Sequence, residues 1–158
     1  MSYIGIDLGT SSLKAILVDE HQRVLASRSC DLTVRRPQPL WSEQDPADWI
    51  AAALAALHGL GEDAPPTFRA CKGIGLSGQM HGAVLLDEAN RPLRPCILWN
   101  DGRAAVESAE IEASEPDSRA ITGNIAMPGF TAPKLLWVRR HEPELFRRTR
   151  RVLLPKAY

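Results

Sequence analysis

The sequence predicts an α/β domain built on a mixed β-sheet, and three observations carry that reading. Residues 3 to 30 hold three β-rich runs joined by turns too short for a crossover, which forces an antiparallel meander. Asp45-Pro46-Ala47-Asp48 then opens an apolar helix. Lys72 to Ser77 is a further β-rich run reached only across that helix, so it is free to lie parallel to a meander strand.

Each element has its own local justification. Tyr3 to Leu8 alternates, with Ile4, Ile6 and Leu8 on one face and Gly5 and Asp7 on the other. Gly9-Thr10-Ser11-Ser12 supplies turn chemistry, Leu13 to Val18 resumes as strand, and Asp19 to Arg23 turns the chain into Val24 to Cys30. A dinucleotide-binding fold would instead lead from its first glycine loop into a helix. Residues 31 to 44, with Pro37 and Pro39, leave little room for regular structure. In the helix Asp45 is the N-cap and Pro46 the first helical residue. Its apolar stripe reads as Trp49, Ile50, Ala53, Leu54 and Leu57, with a stop expected near Gly59 or Gly61. A polar loop to Ala70 precedes Lys72 to Ser77, which reads as a buried strand.

Beyond the loop Gly78-Gln79-Met80-His81-Gly82, Ala83 to Asp87 reads as a strand and Glu88 to Pro92 as a turn. Cys96 to Trp99 is a short strand, and Asn100 to Arg103 leads into an Ala- and Glu-rich helix. Ile121 to Pro133 reads as loop, followed by a short helix through Leu135, Leu136 and Val138. Val152 to Pro155 ends the pattern, and no internal repeat stands out.

Composition narrows the function. The 158 residues carry 19 basic and 19 acidic side chains, a formal net charge of zero, which gives bulk attraction to nucleic acid or membrane no support. Arg139 to Lys156 carries a local positive excess that reads as a solvated helix face. Cys30, Cys71 and Cys96 are far apart, and no cysteine or histidine spacing suggests a zinc site. Free thiols and the lack of a bilayer-length apolar run point to a cytoplasmic protein.

Two segments invite chemistry. A hairpin tip at Asp7-Leu8-Gly9-Thr10-Ser11-Ser12, with Lys14 beyond, brings backbone N–H groups and hydroxyls towards an anion. Asp7 at the strand end suits a hydrated Mg²⁺, yet the same residues also describe an ordinary turn. His81 is a lone histidine in a loop, and by itself suggests nothing beyond a loop residue.

The run Ile4-Gly5-Ile6-Asp7-Leu8-Gly9-Thr10-Ser11-Ser12-Leu13-Lys14 resembles the first phosphate motif of the actin-like ATPase superfamily. Further segments sharpen this: Pro39 to Pro46, Gly78 to Gly82, Ile97 to Arg103, Thr122-Gly123-Asn124 and Met127 to Lys134. Together they resemble the FGGY family of carbohydrate kinases, in the branch acting on D-xylulose, over residues 3 to 156. The resemblance implies a ribonuclease-H-like (actin-like) domain, with 1–158 forming the N-terminal part of the first of two domains and lacking its C-terminal end. It implies ATP and Mg²⁺ as cofactors and phosphorylation of the ketose D-xylulose at its 5-hydroxyl. Asp7, Gly9, Thr10, Ser11, Ser12 and Lys14 would serve the nucleotide phosphates, and Asp7 the metal.

Met80, His81, Trp99, Asn100 and Asp101 would serve the sugar. His81 has both a donor and an acceptor nitrogen for hydroxyls, and an indole face can stack on the C–H side of a sugar. Asn100, Asp101 and Arg103 are compatible with sugar contacts, yet an Asp–Arg pair two residues apart favours bracing the loop, and Glu43 and Gln44 could orient the pocket or cap a helix. Ribulose, glycerol or another polyol are alternative substrates, although glycerol-acting members typically carry Arg-Glu where Met80-His81 stands. A non-catalytic sugar- or phosphate-binding piece is the other alternative. The family's catalytic aspartate is expected beyond Tyr158, together with the second domain, and Ala157 stands where the family usually has Asp. The remainder of the kinase is thus a required partner, and the resemblance admits a homodimer of the full-length protein. The chain alone is expected to lack turnover.

Overall fold

Alternation of apolar and polar residues draws Ser2–Leu8 (β1), Ser12–Asp19 (β2) and Val24–Asp31 (β3) into strands, as a computed structural model covering all of residues 1–158 describes. The remaining elements are Glu43–Gln44 (β4), Pro46–Asp63 (α1), Pro65–Arg69 (α2), Cys71–Gly78 (β5), Val84–Leu86 (β6) and Cys96–Ile97 (β7). Ala105–Ser114 (α3), Ser118–Thr122 (α4), Thr131–His141 (α5), Pro143–Arg148 (α6), Arg151–Leu153 (β8) and a terminal 3₁₀ turn at Pro155–Ala157 complete the chain. The contacts divide into two units, one of residues 1–34 and 45–79, the other of 35–44 and 80–158.

The first unit is the mixed sheet. Its strand order is β3-β2-β1-β5, with β1–β2 and β2–β3 antiparallel and β1–β5 parallel. One sheet face puts Ile4 opposite Leu17 and Leu8 opposite Leu13, and there α1 packs on β2 and β3. Asp45 caps α1 by accepting from the Ala47 N–H at 3.0 Å, and Pro46 takes the first helical position.

Four expectations need correction here. The helix does not stop at Gly59 or Gly61 but runs to Asp63. Gly59 is an interior contact, because a side chain there would come within 2.8 Å of the Arg28 Nε. The buried stripe is therefore Trp49, Ala52, Ala56, Gly59 and Leu60, whose small members let helix and strands approach, while Ile50 and Leu54 face outward. Within the expected loop to Ala70 lies α2, whose Thr67 carbonyl accepts from the Ser2 hydroxyl. β5 is not a buried strand: it is the sheet edge, with Ile74 56% and Leu76 59% exposed. Both sit on the α1 face, where the helix covers β2 and β3 instead.

The second unit packs Ala83, Leu85, Ile97, Ala104, Trp137 and Val138 into one core. Residues 35 to 44 contribute more than an irregular link, since β4 pairs antiparallel with β7. The last strand expected at 96 to 99 is only two residues long, and residues 151 to 153 form β8 against β6. Within 121 to 133, the expected loop begins as the end of α4 and finishes in the first turn of α5.

One turn is used twice, each time on the pattern Asp-Glu-x-x-Arg. In Asp19-Glu20-His21-Gln22-Arg23 the Asp19 Oδ1 accepts from the N–H groups of His21 and Arg23, both at 2.9 Å. Asp87-Glu88-Ala89-Asn90-Arg91 does the same through Ala89 and Arg91, again at 2.9 Å. Gln22 and Asn90, in matching places, take left-handed φ of 61° and 59°. Backbone hydrogen bonds from the arginine hold both aspartates below the usual carboxylate range.

Candidate functional site

Within the first unit, β1 and β2 close on a turn in which the Gly9 N–H donates to the Ser12 carbonyl at 3.0 Å. Thr10 and Ser11 form its tip, and Ser12 begins β2. The Leu32 N–H donates to the Ser11 carbonyl at 2.8 Å, and Gln79 secures the base through its N–H on the Leu8 carbonyl at 2.7 Å. Gln79 Nε2 adds a bond to the Gly9 carbonyl at 3.3 Å.

Sheet register places Asp7 directly between Lys14 on β2 and Ser77 on β5. These three border an open groove of about 440 Å³ whose floor is the Gly5–Gly75 pair. Asp7 and Lys14 are both exposed. A single exposed carboxylate flanked by an ammonium and a hydroxyl fits a hydrated divalent ion held mainly by phosphate oxygens. It does not fit an all-protein cage, and no cluster of three ligating side chains accompanies it.

Within the second unit, the Gly82 N–H donates to the Met80 carbonyl at 2.8 Å, which makes Met80-His81-Gly82 a γ-turn. His81 at its centre has φ of 61°, a left-handed conformation that costs a non-glycine residue about 1–3 kcal/mol unless its surroundings enforce it. Three residues from the N-terminal end of α5 converge on that turn. The His81 carbonyl accepts from Lys134 Nζ at 2.7 Å and from the Thr131 hydroxyl at 3.2 Å. The imidazole lies over Phe130, with ring centroids 4.5 Å apart. Met80 is 53% and Trp99 44% exposed, as side chains that meet a ligand must be, and Asn100 is exposed beside them in sequence.

Asp101 departs from the expectation of a sugar contact. It is 2% exposed, and both its oxygens are committed. Oδ2 accepts from the Ser42 N–H at 2.6 Å and from Arg103 Nη2 at 2.7 Å, while Oδ1 accepts from the Arg103 N–H and Nε at 2.9 Å. Arg103 continues to Glu43 at 2.6 Å, and Arg94 bonds both Glu43 and Glu142. The Arg103 guanidinium lies 3.6 Å from the Trp41 ring centroid and 4.9 Å from that of Trp137. Glu43 is thereby the hub of a buried ion cluster next to the loop that carries Trp99 and Asn100.

Sequence reasoning missed Lys134, Thr131 and Phe130 as functional residues. They stood inside the segment Met127 to Lys134, which carried the family resemblance without any assigned role. Lys134 is wholly buried, and desolvation pulls its pKa down to about 8.

With both turns described, comparison with known proteins separates the readings. The model for the FGGY family of carbohydrate kinases, N-terminal domain, matches residues 2–158. The chain belongs to the FGGY family of carbohydrate kinases. Among FGGY relatives, a xylulose kinase of Escherichia coli (strain K12) is 58% identical over 156 residues, covering 99% of this chain and 32% of that protein. A crystal structure of a xylulose kinase from Brucella ovis superimposes with TM-score 0.96 at 58% identity, covering 99% of this chain and 33% of that one. The xylulose kinase of Rhodospirillum rubrum gives TM-score 0.94 at 38% identity, over 98% and 32%. The FGGY chain thus spans about one third of the length of the curated relatives it matches. The mixed sheet of the first unit has the α/β fold of the actin-like sugar kinases.

Proposed function

We propose that this chain supplies the first phosphate turn and the sugar-binding loop of an ATP-dependent kinase that phosphorylates D-xylulose at O5. It would form the N-terminal part of the first of two domains. The observation that carries the reading is the strained Met80-His81-Gly82 turn with its exposed Met80, in a chain 58% identical over nearly its whole length to a protein named xylulose kinase. The uncovered apolar edge of β5 supports an incomplete domain. Three free cysteines suit the reducing cytoplasm, and no helix is long and apolar enough to cross a membrane.

In this reading His81 and Met80 hold the ketose, the imidazole through hydroxyls and the thioether as an adaptable wall. Trp99 and Asn100 complete the contact, and Asp101 is a brace beneath them. The Gly9–Ser12 turn offers backbone N–H groups and hydroxyls to phosphate oxygens, and Lys14 adds charge. Asp7 would hold Mg²⁺ through water, and the ion, when bound, neutralises charge on the transferring phosphoryl group. The base that takes the proton from the sugar hydroxyl is not among these residues.

Joining residues 1–158 to the remaining two thirds of the Escherichia coli relative provides the test. ADP release should depend on D-xylulose and fall ~100-fold or more in Asp7→Ala. Faster turnover of ribulose or glycerol would remove the sugar assignment. The chain alone should show no turnover, because loss of a general base typically costs ~100- to 10,000-fold before lost positioning is counted.

A further inference from the structure

We propose that Lys134 is a positioning residue for sugar binding: donating to the His81 and Gly129 carbonyls, it locks the left-handed His81 turn and ties it to the Phe130 and Trp99 segments. Its Nζ lies 2.7 Å from the His81 carbonyl and 2.5 Å from that of Gly129. Those two carbonyls belong to loops that local sequence cannot align, being separated by the whole β6–α4 stretch. Gly129 is in turn seated on Trp99, since a side chain there would come within 2.2 Å of the Trp99 carbonyl oxygen. One buried ammonium therefore ties three segments that the sugar reading needs together.

The chemistry explains why lysine stands here. Two carbonyls pointing at one buried spot require a donor with at least two hydrogens and no acceptor, which an ammonium satisfies. The carboxylate acting on Lys134 is that of Asp101, already engaged by Arg103 and Ser42; the Cys96 thiol and the Arg103 guanidinium are the other titratable groups acting on it. Burying a charge against carbonyls is a poor way to gain stability, and a methionine of similar length would pack without desolvation. What the ammonium adds is geometry. A left-handed histidine relaxes unless its carbonyl is held, and here Lys134 and Thr131 both hold it.

The inference rests on the reading that His81 contacts the sugar, so its test has an arm without ligand. In the chain as it stands, ring-current shifts of the His81 protons report the 4.5 Å stack on Phe130. Lys134→Met should abolish those shifts while indole dispersion and a cooperative melt remain. Unchanged His81 shifts in folded Lys134→Met would overturn the inference. So would loss of folding in both Lys134→Met and Lys134→Gln, which would leave a purely structural role.

The second arm titrates D-xylulose into residues 1–158 joined to the remaining two thirds of the Escherichia coli relative, read by tryptophan fluorescence, a signal that His81→Ala retains. His81→Ala and Lys134→Met should each weaken binding about tenfold, and the double variant no more than about twofold beyond the weaker single, because both remove one contact. If His81→Ala binds normally, or no binding occurs at all, the sugar reading falls and the ligand-free arm still decides the clamp. If His81→Ala weakens binding and Lys134→Met does not, the positioning role falls alone.

Discussion

The turn after β1 and the turn before β6, the two candidate binding turns, are held in shape by different means. The first is closed by the Gly9–Ser12 bond and the Asp7–Lys14 cross-strand pair, and neutral donors hold it from outside: the Leu32 and Gln79 N–H groups and the Gln79 side-chain amide. It uses glycine and small hydroxyl residues. The second puts a histidine where glycine would be comfortable and holds it from α5, with Thr131 and Lys134 lying 50 and 53 residues away. Closure by backbone and amide donors leaves a turn whose exposed side chains tolerate exchange. In the second turn the closing donor is the end of a wholly buried lysine, and the cost of a change rises accordingly.

The largest effect should come from unpairing the ions next to the loop that carries Trp99 and Asn100. Arg103→Leu takes the cation from buried Asp101 and leaves Glu43 with Arg94 alone, and should cost about 3–5 kcal/mol, read by urea unfolding through Trp41 and Trp137 fluorescence. A loss below about 1 kcal/mol would mean the cluster is solvated and holds nothing.

The next effect is a pH dependence, and it belongs to the clamp. Below pH about 8 both folded and unfolded chains carry the Lys134 proton. Between about 8 and the ordinary 10.5 the folded chain has released it and the unfolded chain has not. Stability should therefore rise with pH across that window, by on the order of 3 kcal/mol. The neutral amine still has two hydrogens for its two carbonyls, so the clamp outlives the charge. Subtracting the Lys134→Met profile removes the contribution of the other alkaline groups. A flat difference between the two profiles would show an ammonium that water reaches.

At the phosphate turn the same kind of change should do little to the fold. Asp7→Ala removes one half of an exposed cross-strand pair and should shift stability by less than about 1 kcal/mol in a denaturant melt. A larger loss would make this turn as dependent on charge as the sugar loop, and the contrast would disappear.

The smallest effect is a reactivity. Burial pushes the Cys96 thiol up to about 12, whereas Cys30 and Cys71 are only half-buried. Alkylation near pH 8 followed by mass spectrometry should label Cys30 and Cys71 first. Lys134→Met should bring Cys96 into the reactive set, because Gly82 packs beside its sulfur. Equal labelling of all three in the unaltered chain would deny the second unit its closed core.

Sequence by itself determined what neighbouring residues can settle. The antiparallel meander follows from turns too short to cross over, and the cap of α1 follows from Asp45 and Pro46. The parallel return of β5 and the hairpin at Gly9 belong with them, because chain connectivity and local hydrogen bonds leave few alternatives. Tertiary structure decided the rest. The stripe of α1 moved from Ile50 and Leu54 to Ala52, Ala56 and Gly59 because close approach to the sheet rewards small residues more than large ones. Asp101 became a brace because Arg103, Glu43 and Ser42 enclosed it. His81 became a strained, aimed side chain only through a lysine half a hundred residues away. No local pattern encodes such a meeting: a buried ammonium takes its role from whichever carbonyls the folded chain brings to it.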